Sequence, residues 1–154
     1  MENYMKLEIS AIGENESFAR SAVAAFALPL NPTLSELSDV KTAVSEAVTN
    51  CVVHAYPPKL CGKIYIECLA KSSPEGGELH ITVTDAGCGI ADTERAQTPF
   101  FSTVSDGERS GMGFTIMQTF MDEFSLESEP GQGTKVRMKK IFGVVQTAKE
   151  QVNA

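Results

Sequence analysis

The chain has 154 residues, 42% of them hydrophobic and 21% charged, with a formal net charge of −7. These are ordinary globular values for one domain able to bury roughly two thirds of its unfolded surface, which excludes a disordered or fibrous chain. The acidic balance argues against a protein that holds nucleic acid through its phosphates and favours a protein partner or a small ligand. The least polar run, SAVAAFALPL at 21–30, is about half of what a bilayer crossing needs and is interrupted by Pro29. The start, MENYMKLEIS, lacks the basic and then apolar regions of a signal peptide, so a cytoplasmic protein without membrane contact is expected. Cys51, Cys61, Cys68 and Cys88 form no CxxC pair, which favours reduced thiols over a disulfide or a metal site.

In chain order, YMKLEISAI at 4–12 alternates loosely and predicts a first strand. Residues 15–28 carry helical spacing that PLNP ends. Thr33 and Glu36 form a capping-box pattern for a second helix, expected to run to His54 before Pro57-Pro58 stop it. KIYIECLAKS puts Ile64, Ile66 and Cys68 on one face, and ELHITVTD does the same with Leu79, Ile81 and Val83. The two predict a hairpin across SSPEGG, with an extended turn. Residues 86–111 are rich in Gly, Ser, Thr and Asp and weakly periodic, which reads as a functional lid or a disordered segment. A third helix is expected over 112–123, with Ile116, Phe120 and Phe124 and with Met117 and Met121 on an apolar face. FSLESE and TKVRMKKIF then predict a last hairpin around PGQG, with Val136 and Met138 inward. Residues 1–142 make one domain and 143–154 a loose tail. Helices in blocks, not alternating with strands, predict an α+β two-layer sandwich, with the helices on one face of a mixed, mostly antiparallel sheet.

Three constellations stand out. Glu46, Asn50 and His54 in SEAVTNCVVHAY sit at i, i+4 and i+8, a polar stripe beside an apolar one. Such groups are costly to desolvate without partners, so something polar must meet them. Asp85-Ala86-Gly87-Cys88-Gly89, a DxGxG pattern at a strand end, reads either as a turn or as a place where a carboxylate and bare backbone approach a flat ligand. Ser110-Gly111-Met112-Gly113-Phe114 puts two glycines at a helix start, a junction or an anion site.

Taken in order, the three resemble the N box (SEAVTNCVVHAY) and the two glycine boxes (DAGCGI and SGMGF) of the GHKL (Bergerat) nucleotide-binding fold of DNA gyrase, histidine kinases and MutL. Within it, NESFARSAVAAF, LSELSDVKTAVSEAVTN, TPFFST, ERSGMGFTIM and GQGTKVRM are similar to the anti-sigma F factors of spore-forming bacteria, over roughly residues 5–142. The resemblance implies an ATP- and ADP-binding protein serine kinase. Glu46 is implied as the general base and Asn50 as a ligand of Mg²⁺ bridging the phosphates. Asp85 is implied to read the adenine amine, Gly87 and Gly89 to give the ring room, and Thr134 to support the base. Gly111 and Gly113 are implied to present amides to phosphate, with Arg109 on the lid beside the γ-phosphate. Val104 stands where similar proteins carry a lysine, which leaves the lid charge to Arg109.

The implied partners are a sigma factor, a serine-bearing anti-anti-sigma factor and a second copy of the chain, with the first strand as part of the dimer contact. Arg20 is assigned to protein docking. His54 and Cys88 read as structural residues, and Lys135, Arg137, Lys139 and Lys140 as a solvated strand face. Two alternatives stand beside the kinase: a sister regulator of a general-stress sigma factor, and a regulator that binds nucleotide without transferring phosphate. Glu46 and Asn50 together count against the latter.

Overall fold

The computed structural model describes residues 1–57, 61–97 and 112–143. The chain runs β1 (Glu2–Ser10), α1 (Glu14–Ala27), α2 (Leu34–Asn50), β2 (Lys63–Ser73), β3 (Gly76–Asp85), a short α3 (Thr93–Ala96), α4 (Gly113–Phe120), β4 (Glu123–Ser128) and β5 (Thr134–Phe142). The strands form one sheet in the order β1-β2-β3-β5-β4, and every described pairing is antiparallel. The expected two-layer α+β arrangement is therefore observed.

Strand periodicity dictates which face is covered. Ile64, Ile66, Cys68 and Ala70 on β2, Leu79, Ile81 and Val83 on β3, and Val136 and Met138 on β5 all point into the core, because alternate side chains share a face. Against them pack Ala19, Val23 and Ala27 of α1, Val40, Val44 and Val48 of α2, and Met117 of α4. The small residues of α1 let the two long helices lie close on the sheet. The predicted capping box is formed at α2: Glu36 N–H donates to Thr33 Oγ1 at 3.1 Å and Thr33 N–H to Glu36 Oε2 at 2.8 Å.

Several boundaries differ from the sequence reading, each for a local reason. The first strand spans 2–10 instead of 4–12, because Ile12 N–H turns back to Ser10 O at 2.9 Å. The second helix does not stay α-helical to His54: it widens at Cys51–Ala55 into a π-helical turn. Tyr56, held extended at φ −121° and ψ 143° before Pro57, ends it as a residue preceding proline should. The expected extended turn of the first hairpin is instead a lengthened pair of strands, with Ser73 paired to Gly76 and only Pro74 and Glu75 between them. The third helix stops at Phe120, not Glu123, because Met121 turns extended and Asp122 N–H joins the sheet at Lys139 O, 2.9 Å.

Candidate nucleotide-binding site

The residues at the end of α2, the end of β3 and the start of α4 converge on one side of the helical layer. Glu46 and Asn50 are half-buried on the last turns of α2. Gly113 is the first residue of α4, and a Cβ there would lie 3.1 Å from Asn50 Nδ2 and 3.2 Å from both Asn50 Oδ1 and Glu46 Oε2. A side chain at this position would crowd both the amide and the carboxylate. Among the described residues no side chain caps the start of α4, the kind of helix end that suits an anion. Along α4, Thr115 Oγ1 donates to Gln97 O at 3.5 Å and Gln118 Nε2 to Gln97 Oε1 at 2.7 Å.

Asp85 ends β3 and is only 5% exposed. Its Oδ1 accepts from Gly87 N–H at 2.9 Å and its Oδ2 from the Cys51 thiol at 3.5 Å. Burial pushes its pKa above the ordinary aspartate value, with the Gly87 amide, the Cys51 thiol and the Thr134 backbone pulling it back. Gly87 lies so close to the Ala55 carbonyl that any side chain would collide with it, and Gly89 adopts φ +74° against the Glu129 carbonyl. The glycine loop is thus sewn to the π-helical turn, with Cys88 N–H donating to Ala55 O at 2.7 Å and the Cys88 thiol to His54 O at 3.1 Å. π-Helical turns recur at functional sites because the widened backbone redirects its carbonyls.

Thr134 opens β5 directly across from Asp85, and its hydroxyl meets Ser128 Oγ at 2.9 Å. Ser128 in turn accepts from Ile90 N–H at 2.7 Å, so the last hairpin braces the loop beyond Gly89. The fold therefore brings Glu46, Asn50 and Gly113 into one cluster, and Asp85, Gly87, Gly89 and Thr134 into a second one at the neighbouring strand ends. Arg109, Gly111 and Val104 lie outside the described residues.

Arg20 is on α1, away from the glycine loop. It reaches Glu16 Oε1 and Ser45 Oγ, each at 3.4 Å, and lines an open groove of about 440 Å³ between α1 and α2 that continues to Glu46. Three contributors escaped the sequence reading: Cys51, taken as core; Tyr56, whose hydroxyl accepts Ala86 N–H at 2.9 Å and donates to Lys63 O at 2.6 Å; and Ser128. Only Tyr56 carried a signal, as a lone aromatic between the polar stripe and a proline pair. His54, by contrast, serves here through its backbone carbonyl, in keeping with a structural role.

Comparison with known proteins agrees with this geometry. Residues 10–140 match the family model of the histidine kinase-like ATPase domain. An anti-sigma F factor of Thermoanaerobacter sp. (strain X514) is 53% identical over 141 residues, covering 92% of this chain and 95% of the relative. The anti-sigma F factor of Bacillus subtilis (strain 168) is 49% identical over 140 residues, covering 91% and 93%. Among solved structures, the RsbU and RsbW domains of a Mycobacterium tuberculosis protein superpose with a TM-score of 0.60 at 16% identity, over 90% of this chain and 32% of that one. The mycobacterial sensor histidine kinase MprB gives 0.54 at 16% identity, over 90% and 98%. These two carry the fold alone. The chain belongs to the histidine kinase-like ATPases and, within them, to the anti-sigma F factors.

Proposed function

We propose that the protein binds a sigma factor of the sigma-F type and holds it inactive, and that it is also an ATP-dependent protein serine kinase acting on the matching anti-anti-sigma factor. The observation that carries the kinase reading is the meeting of Glu46, Asn50 and Gly113, an acid, an oxygen donor and a helix start within reach of one another. Phosphoryl transfer asks mostly for positioning and charge stabilisation, and this set supplies the parts. Glu46 takes the proton of the attacking serine hydroxyl as its oxygen bonds to the γ-phosphorus; the bond to the bridging oxygen breaks and ADP leaves.

Asn50 fits a hard cation, because its amide offers an oxygen beside an anion-binding helix start, and Mg²⁺ typically takes one or two protein oxygens and completes its shell with phosphate and water. When bound, the ion neutralises charge on the transferring phosphate. Gly113 and Gly111 present backbone amides to the phosphates, and Arg109 adds positive charge. Asp85 accepts from the adenine amine, with Gly87, Gly89 and Thr134 shaping the base side. Arg20 docks partners along the α1–α2 groove. The working unit is a homodimer, with β1, an edge strand, supplying part of the contact.

The test is transfer of labelled γ-phosphate from Mg-ATP to a purified anti-anti-sigma protein from the same genome. Glu46→Gln is expected to bind ATP normally and to lose transfer by about a hundredfold or more, the usual worth of a positioned base. Transfer at the wild-type rate in this variant would remove Glu46 as the base. No transfer by the wild-type protein, with ATP bound, would assign nucleotide a purely conformational role.

A further inference from the structure

Asp85 combines near-complete burial with weak support. No ion pair among the described residues includes it, and a buried carboxylate without a cation depends on its hydrogen-bond donors. Two lie within 3.5 Å at the side chain, beside the Thr134 backbone, which also stabilises the charged form. The Gly87 amide comes from the same loop and fixes Oδ1. The second, at Oδ2, arrives from another element, the first residue of the π-helical turn, and is the thiol of Cys51.

Cys51 is itself 6% exposed and lies within the hydrophobic core cluster, so its S–H has few polar places to go. Burial, reinforced by the charge and hydrogen bond of Asp85, pushes its pKa well above the ordinary thiol value. It therefore stays a protonated donor throughout the neutral range. The long C–S bond and soft sulfur suit a contact at 3.5 Å that a hydroxyl would make shorter.

We propose that Cys51 is the positioning residue of the adenine-reading carboxylate: its thiol, donating to Asp85 Oδ2, sets the rotation of the acid and with it the preference for a 6-amino purine. The inference rests on the role proposed above for Asp85. The thiol touches no nucleotide and acts only through the acid. A site built around a hydrogen bond to a substrate group rejects the analogue lacking that group, whereas a merely well-packed pocket does not.

The experiment compares equilibrium binding of ATP and of purine riboside triphosphate, which lacks the amine, by the wild-type protein and by Cys51→Ala, Cys51→Val, Cys51→Ser and Asp85→Asn. Valine fills the thiol's space without a donor, which guards against a cavity effect in the alanine variant. The wild-type protein is expected to favour ATP. Cys51→Ala and Cys51→Val should lose about tenfold in that preference through weaker ATP binding alone, while Cys51→Ser stays within about threefold of wild type. Equal weakening of both nucleotides, or an undiminished preference in the alanine and valine variants, overturns the positioning role. If Asp85→Asn loses the preference while Cys51→Ala keeps it, only the Cys51 inference fails. If the wild-type protein shows no preference, the reading of Asp85 fails and takes this inference with it.

Discussion

In the role proposed for it, Asp85 would trade stability for recognition at a single residue. Its pKa is raised in the folded chain, so the native state holds that proton more readily than the unfolded state does. The stability associated with the proton is present at low pH and is lost as pH rises through the raised value; above it the buried charge is a cost. Asp85→Asn should therefore melt no lower than the wild-type protein at neutral pH without nucleotide, yet bind ATP at least about tenfold more weakly. For the wild-type protein, ATP affinity should fall as pH drops through the same value, because a protonated acid no longer accepts freely from the amine. Thermal scans with and without ATP, together with binding titrations across pH, test both halves. Unchanged ATP affinity in Asp85→Asn would remove the adenine-reading role.

At the scale of the element, α4 is where the site is assembled. Its far end is pinned by Lys140, whose ammonium donates to Phe120 O at 2.7 Å and to Asp39 Oδ2 at 3.2 Å. A cation at a helix C-terminus complements the dipole, and here one side chain ties β5 to α2 and α4 at once. The side chains of Lys140 and Lys139 are only 12% and 19% exposed, against 48% for Arg137, so the expected solvated basic face does not extend to these two lysines. The other end carries Gly113. Alanine there is the better helix former by about 1 kcal/mol, so Gly113→Ala should leave the melting temperature at or above wild type. Its methyl, though, would press on Asn50 and Glu46. Nucleotide affinity should fall about tenfold or more in a direct titration, and retained affinity would show that the α4 start moves freely from α2.

The same element shows what could be read from the chain in advance. Strand faces and the capping box were legible because each follows a local period or a local hydrogen bond; on α4 only Met117 and Met121 are buried as expected, Ile116 and Phe120 are half-buried, and Phe124 lies on β4. The π-helical turn was not: nothing in CVVHA departs from α-helical spacing, and the widening serves a carbonyl contact with a loop more than thirty residues later. Glu46 and Asn50 announced themselves as polar residues beside a core stripe. Cys51 did not, since a thiol looks apolar until its acceptor is known.

Across the whole molecule, Glu46 lines the α1–α2 groove and also stands beside Asn50 and Gly113, so in the roles proposed above docking and chemistry would meet at one side chain. Arg20→Glu should weaken capture of both the sigma factor and the anti-anti-sigma factor by about tenfold or more, the effect of reversing a charge at a docking surface. ATP affinity should stay within about threefold. Unchanged binding of both partners, measured by calorimetry, would remove Arg20 from the interface.

The four thiols divide evenly. Cys51 and Cys68 are buried, and burial lifts Cys68 to about 12; Cys61 and Cys88 are exposed. Since the thiolate is the reactive form, an alkylating reagent at mild pH should modify two sites in the native protein and four after denaturation. Of the two, Cys88 stands between the glycines of the loop that borders Asp85. On the proposed assignment the molecule carries an intrinsic footprint of its own occupancy: ATP should slow the alkylation of Cys88, and an unchanged rate would place this thiol outside the pocket.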